Sequence, residues 1–422
     1  MGLDDGERGL NGFTRRLARS LTSNRPFIVV WLAIFVTIAG VGMVSPLLPV
    51  FAKDMGASGV WIGLAFSGFA ISQIPLMLVV GRYSDRFGKK RFIWLGLLIY
   101  TLVAAGYIWA PGYRELFLFR VLSGVGTALV IPVAYAYIGE LAPLGREGRY
   151  MGLLNAATIA GFGTGPMLGG FVNDKFGMDP TFLSMGVLSA TSLVAVLLFL
   201  PAKPSVRQAI STERRAGSFA PILKDDTMRG IVVFHFLLGL SYGAVLAFLP
   251  VFMTDVRYAS GMQVGMVIGA RYVLNGALSY PFGWLADRAN RVLLATSGIV
   301  LVAAGVFFIP WVGGFAALLL LLMAIGVCEG LAVPSANAIG VDKGRAFGMG
   351  SVMGLINMSL ASGMLFSSVV GGTIESSIGI GWVFRCAALA CFVLAAAFIF
   401  LVRRGMRSNK DHELHHQTEW PL

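Results

Sequence analysis

Charged side chains are what this sequence has least of. They make up 13% of its 422 residues, about half the roughly 25% of an ordinary soluble domain. That shortage excludes a water-coated globule of this length. Cysteine is nearly missing too: Cys328, Cys386 and Cys391 all fall in apolar stretches, so neither a disulfide framework nor a zinc spacing is present. Of four histidines, three (His412, His415, His416) lie in a polar tail. No His/Asp/Cys cluster marks a helix end and no serine nucleophile motif occurs. The sequence does not read as that of an enzyme, and it calls for neither metal nor cofactor.

What is present is apolar, at 56% of residues with a mean hydropathy of +0.77. The apolar residues come in runs of about 20, the length that crosses roughly 30 Å of hydrocarbon as a helix. Twelve runs lie near 27–51, 59–81, 92–110, 115–138, 149–172, 180–200, 230–253, 261–285, 292–311, 315–338, 349–374 and 380–402. Barrel strands need only about 10 alternating residues, so the expected fold is an all-α membrane protein of twelve transmembrane helices.

The net charge of +12 invites a nucleic-acid reading, but its distribution points to a bilayer instead. With the N-terminus placed in the cytoplasm, 26 of the 33 Lys and Arg fall on the cytoplasmic side. The outer loops hold four (Lys53, Arg114, Lys175, Arg257), and Arg120, Arg271 and Arg385 fall within runs. This is the positive-inside pattern, and the basic excess suits anionic lipid. The chain is expected in a bacterial inner membrane as a monomer, with both termini cytoplasmic. The first run is too long for a signal-peptide core and no small-residue cleavage site follows it.

Shifted by about 202 residues, the sequence aligns with itself. LPVFAKD (Leu48–Asp54) meets LPVFMTD (Leu249–Asp255), Gly59 and Gly63 meet Gly261 and Gly265, and GLLN at 152–155 meets GLIN at 354–357. Gln73 meets Asn275, Gly124 meets Gly326, and Pro132 meets Pro334. The expected organisation is therefore an N-terminal segment (1–26), a six-helix bundle (27–201), a basic linker (202–228), a second bundle (229–403) and a tail (404–422). Two pseudo-symmetric six-helix bundles around a central cavity, related by an axis along the membrane normal, resemble the major facilitator transporters.

The loop GRYSDRFGKKR (Gly81–Arg91) strengthens that resemblance. It is similar to the family signature G-x-L-A-D-R-x-G-R-K through Gly81, Asp85, Arg86, Gly88, Lys89 and Lys90, with Tyr83 and Ser84 in place of Leu and Ala. A second copy keeps Gly283, Asp287, Arg288 and Arg291, with Asn290 where glycine is usual. The resemblance implies a conformational latch, in which Asp85 accepts from a helix N-terminus or an arginine of the other half. The bland alternative is a basic cluster that only sets topology.

The fifth run carries G-x8-G-x3-G-P-x2-G-G as Gly152, Gly161, Gly165, Pro166, Gly169 and Gly170. This resembles the antiporter motif of the twelve-span drug/proton exporters in that family. The second half keeps Gly363, Gly371 and Gly372 but loses the Gly-Pro. Gly40, Pro46 and Pro49 in the first run, and Arg120-x3-Gly124 in the fourth, are similar to further signatures of the branch, although Ser123 stands where glutamine is usual.

Ionisable groups inside spans are costly and mark function. Glu329 is the one carboxylate placed well inside a run, and a carboxylate removed from water can load and release a proton near neutral pH. Glu329, with Arg271 tuning it and Arg120 by family resemblance, is the expected proton-coupling set. A plain ion pair joining the eighth and tenth runs is the alternative. Gln73, Tyr135, Asn155, Asn275 and Asn357 are polar groups expected to face a substrate cavity rather than lipid. The sequence thus reads as a secondary transporter that exports hydrophobic or cationic small molecules against protons by alternating access. The alternative is a carrier for one metabolite such as a sugar, siderophore or lipid.

Overall fold

The computed structural model describes residues 25–142, 147–201, 219–347 and 349–418. Among them no residue lies in a strand. The twelve expected runs are twelve helices: α1 (Arg25–Asp54, broken by a turn at 45–47), α2 (Gly59–Ser67 continuing as Phe69–Phe87), α3 (Lys89–Ile108), α4 (Tyr113–Leu141), α5 (Glu147–Phe176) and α6 (Met178–Phe199), then α7 (Asp226–Arg257), α8 (Gly261–Arg288), α9 (Arg291–Phe308), α10 (Phe315–Phe347), α11 (Met349–Ile378) and α12 (Ile380–Thr418).

Two boundaries move for local reasons. A short helix, Phe219–Lys224, and the start of α7 both fall inside the stretch expected as linker. Asp225 starts α7 early, because its side chain accepts from the Met228 amide at 2.9 Å in the manner of a helix cap. At the other end α12 runs past 404, where a tail was expected, because Arg404 reaches Asp226 at 3.1 Å and Gly405 packs on Thr227. Residues 1–24 lie outside the described set.

The packing repeats with the sequence. In the first half α1 packs on α5 and α6, α3 on α4 and α6, and α2 on α4. In the second half α7 packs on α11 and α12, α9 on α10 and α12, and α8 on α10. Between the halves α5 meets α8, and its symmetry mate α11 meets α2. The turns repeat as well: Gly177 and Gly379, 202 residues apart, both sit at φ near +90°, which glycine adopts without cost.

Among the described residues ten helices are long and apolar enough to cross a bilayer, and α5 and α8 are not among them. Several of their glycines pack against neighbouring helices. The exposed leucines of α3, α4, α6, α9 and α10 (Leu102, Leu118, Leu198, Leu301, Leu320) form a lipid-facing rim instead. Lipid offers little drive for one apolar helix to leave it for another, so close backbone approach must supply the attraction between helices.

Candidate functional site

The α5 motif divides into two faces. Gly161, Gly165 and Gly169 are spaced by four and lie against α1, where an added methyl would overlap Ile38, the Ala39 carbonyl and the Met43 carbonyl respectively. Gly163, the Pro166 carbonyl and Gly170 face the other half, against Gly269, Gly265 and Gly261 of α8. The mirrored seam repeats it: Gly63 meets the Ser368 carbonyl, and Gly372 meets the Gly59 carbonyl. Each seam permits a backbone contact that no side chain would allow. The motif thus closes one end of the molecule.

Hydrogen bonds finish that closed end. Asp174, at the end of α5, accepts from the Gly261 and Met262 amides of α8 at 2.7 and 2.8 Å. Ser260 and Gln263 exchange the capping-box bonds next to it, so all four amides from Ser260 to Gln263 have acceptors. At the mirrored position Ser376 accepts from the Gly59 amide at 3.2 Å. Lys53 and Asp255 form an ion pair across the same end. The seams separate beyond Ile159 and Gly276. There Asn155 is exposed, and a methyl on Gly152 or Gly354 would meet no atom within 4 Å.

The loops expected as latches lie at this open end. Described contacts of their lysines stay within one half: Lys89 pairs with Glu140 of α4 at 2.5 Å, and Lys90 donates to the Leu197 carbonyl at 2.8 Å. Arg291 pairs with Asp342 at 2.7 Å, which is the Lys89–Glu140 pair shifted by 202. Arg86 lies over Phe87 and Arg288 over Trp284. Gly88 makes its turn at φ +93°. Asn290 replaces it with an extended backbone and a side chain that caps α9 through the Val292 and Leu293 amides, which explains the departure in the second copy. The Asp85 and Asp287 side chains, and Gly81, lie outside the described residues, while a methyl on Gly283 would meet nothing within 4 Å.

Between the two ends lies a cavity of about 290 Å³. It is lined by both halves, through α1, α2, α3, α4 and α5 on one side and α7, α8 and α11 on the other. Gln73 and Asn357 line it as expected, and so does Arg120. Three residues expected there do not. Tyr135 lies one turn past the lining residue Ile131 toward the open end, and Asn155 lies about two turns past Phe162. Asn275 is not among the lining residues, and its backbone carbonyl lies 3.4 Å from where a methyl on Gly330 of α10 would sit. Aromatic walls make up the difference, with Phe66, Phe69, Phe162, Tyr242 and Tyr272. Nothing in a chain with 30 phenylalanines marks these out from those that face lipid.

Arg120 does not reach outward to the membrane surface. It is 4% exposed, held by its Nε to the Phe66 carbonyl at 2.9 Å and by a terminal nitrogen to Ser45 Oγ at 3.1 Å. The turn that breaks α1 at Ser45–Pro46 supplies that hydroxyl. Arg271 and Glu329 meet in a two-point ion pair, Nε to Oε2 at 3.1 Å with a second, shorter bond beside it. Both are buried, and Tyr242 separates them from the cavity, with the Arg271 guanidinium 4.9 Å from its ring centre.

A helical membrane protein of two like halves, sharing a cavity shut at one end, is a transporter by architecture. The Major Facilitator Superfamily model matches residues 30–368 and again 231–420, and the chain belongs to that family. Multidrug resistance protein 2 of Bacillus subtilis is 28% identical over 361 residues, covering 82% of this chain and 88% of that protein. An MFS-type transporter of Methanocaldococcus jannaschii is 26% identical over 381 residues, 89% and 98% of the two chains. A bacterial homologue of the human lysosomal transporter Spinster, in an inward-facing unoccupied conformation, shares the fold with a TM-score of 0.75 at 12% identity, over 90% of this chain and 97% of that one.

Proposed function

We propose that the chain is a proton-coupled exporter of hydrophobic small molecules, acting by alternating access. The observation that carries this reading is the central cavity, walled by rings from both halves and shut at one end by contacts that only glycine allows. Rocking the halves would part these seams and join the open end, moving the cavity from one side to the other. The basic loops orient the open end to the cytoplasm, which makes the present state inward-facing. The similarity to a multidrug resistance protein and the full α5 antiporter motif support export.

Coupling is assigned to Glu329. Its pairing with Arg271 leaves no free carboxylate in this state, so proton loading belongs to a state in which α8 and α10 have shifted. The pair lies one ring from the cargo site, close enough for occupancy at Tyr242 to affect it. The test is transport in proteoliposomes under an imposed pH gradient, with a panel of dyes, for the parent chain and Glu329→Gln. Gradient-driven movement of several dyes by the parent, lost in Glu329→Gln, is the expected result. Indifference to every dye would favour the single-metabolite carrier, and coupling that survives Glu329→Gln would remove that residue from the mechanism.

A further inference from the structure

We propose that the cargo is an amphiphilic monoanion, its acidic group docked on Arg120 and its apolar body held among the rings of α2, α5, α7 and α8. The inference rests on the cavity being the transport site, and it deepens that reading by choosing the sign of the cargo's charge.

The two buried guanidiniums differ in one respect. Arg271 is neutralised by Glu329 in a two-point contact. Among the described residues Arg120 has only neutral partners: the Phe66 carbonyl, the Ser45 hydroxyl, the nearby Tyr107 phenol and the faces of Phe66 and Phe69, 5.9 and 4.9 Å from the guanidinium carbon. Among the described residues no carboxylate lies within ion-pair distance of it. Arg120 is also the one charged side chain among the described residues that line the cavity.

A buried charge is costly unless it is paired. Here the missing partner is a ligand, since the guanidinium borders empty space of ligand size. A carboxylate or sulfonate there would make the charge-assisted bonds to which arginine is best suited. A cation would meet a like charge with no acid in the lining to offset it. Phe66, Phe69, Phe162, Tyr242 and Tyr272 supply apolar and aromatic surface around that one charge, and about 290 Å³ suits a body of one or two rings. An inside-negative membrane would also help expel such an anion.

The test uses three matched probes on the purified full-length chain in nanodiscs: naphthoate, naphthylmethanol and naphthylmethylammonium. Binding is read by quenching of protein fluorescence. Naphthoate is expected to bind at least tenfold more tightly than the alcohol, and the ammonium more weakly than either. Arg120→Gln should erase the preference for naphthoate while leaving the alcohol's affinity within about threefold, and Arg120→Lys should keep part of it. Equal binding of the ammonium and naphthoate by the parent chain would overturn the proposal without any variant, as would an undiminished preference in Arg120→Gln. Proteoliposome flux separates this from the function above. Gradient-driven flux of the ammonium and not of naphthoate refutes the anion and keeps the exporter. Selective naphthoate binding with no flux of any probe keeps the site and refutes the exporter.

Discussion

Arg271 and Glu329 stand, 202 residues on, where the first half has Phe69 and Thr127, both of which line the cavity. The duplicated frame thus carries an ion pair on one side and an aromatic–hydroxyl pair on the other. Function can be sought where the halves differ, because shared positions serve the shared task of packing. Removing one partner of a sealed pair strands the other charge, at a cost of about 3–5 kcal/mol. Glu329→Gln and Arg271→Gln should therefore each lower the unfolding temperature in detergent by several degrees. The double substitution leaves two neutral amides able to bond each other and should recover most of the loss. Coupling distinguishes the roles: if Glu329 handles the proton, the refolded double variant still lacks gradient-driven transport. Restored coupling in the double variant would make the pair a structural tie between α8 and α10.

Elements show what the glycines are for. The α5–α8 and α11–α2 seams join at one end, while Gly152 and Gly354, also 202 apart, face open space at the other. Alternating access requires the open end to close in turn, and these two glycines lie where it would. Valine at both positions should leave thermal stability unchanged in this state yet slow transport at least tenfold, because closure would then carry an overpacking cost of about 1–3 kcal/mol. Unimpaired flux in that double variant would show that the open end closes on other surfaces. By contrast Gly265→Ala meets the Pro166 carbonyl directly and should weaken the closed end itself, read as greater labelling of the outer cavity by a thiol reagent at an introduced cysteine. The spans, the duplication and the α5 motif were legible because run length, a fixed offset and glycine spacing are properties of the chain alone. The cavity was less so. Gln73 and Asn357 face it, but Asn155 and Asn275 carry the same chemistry and do not, because a turn of helix decides and polarity does not encode it. The aromatic walls look like lipid-facing residues in the sequence, since both environments accept a ring.

For the whole molecule, the question is what holds it in this state. A carboxylate on a helix N-terminus of the other half was expected from Asp85, at the cytoplasmic loop. The contact of that kind seen among the described residues is at the opposite end, where Asp174 receives two amides of α8. The sequence could not mark Asp174, because its partners are backbone groups brought there by folding. Its mirror mate Ser376 makes one longer bond, so the closed end is fastened unequally, more firmly at the α5–α8 seam. A side-chain cap contributes about 1 kcal/mol, and a difference of 1.4 kcal/mol is a factor of ten in a population. Asp174→Ala should thus raise the outward-open population roughly fivefold, with little effect on the fold, since the contact joins the halves and not the helices within one. Spin labels at cysteines replacing Trp109 and Tyr258, exposed residues at the closed ends of α3 and α7, report the separation directly. The long-distance component should grow in Asp174→Ala and change less in Ser376→Ala. Equal shifts in the two would mean that the seams share the load and that the carboxylate adds nothing a hydroxyl lacks.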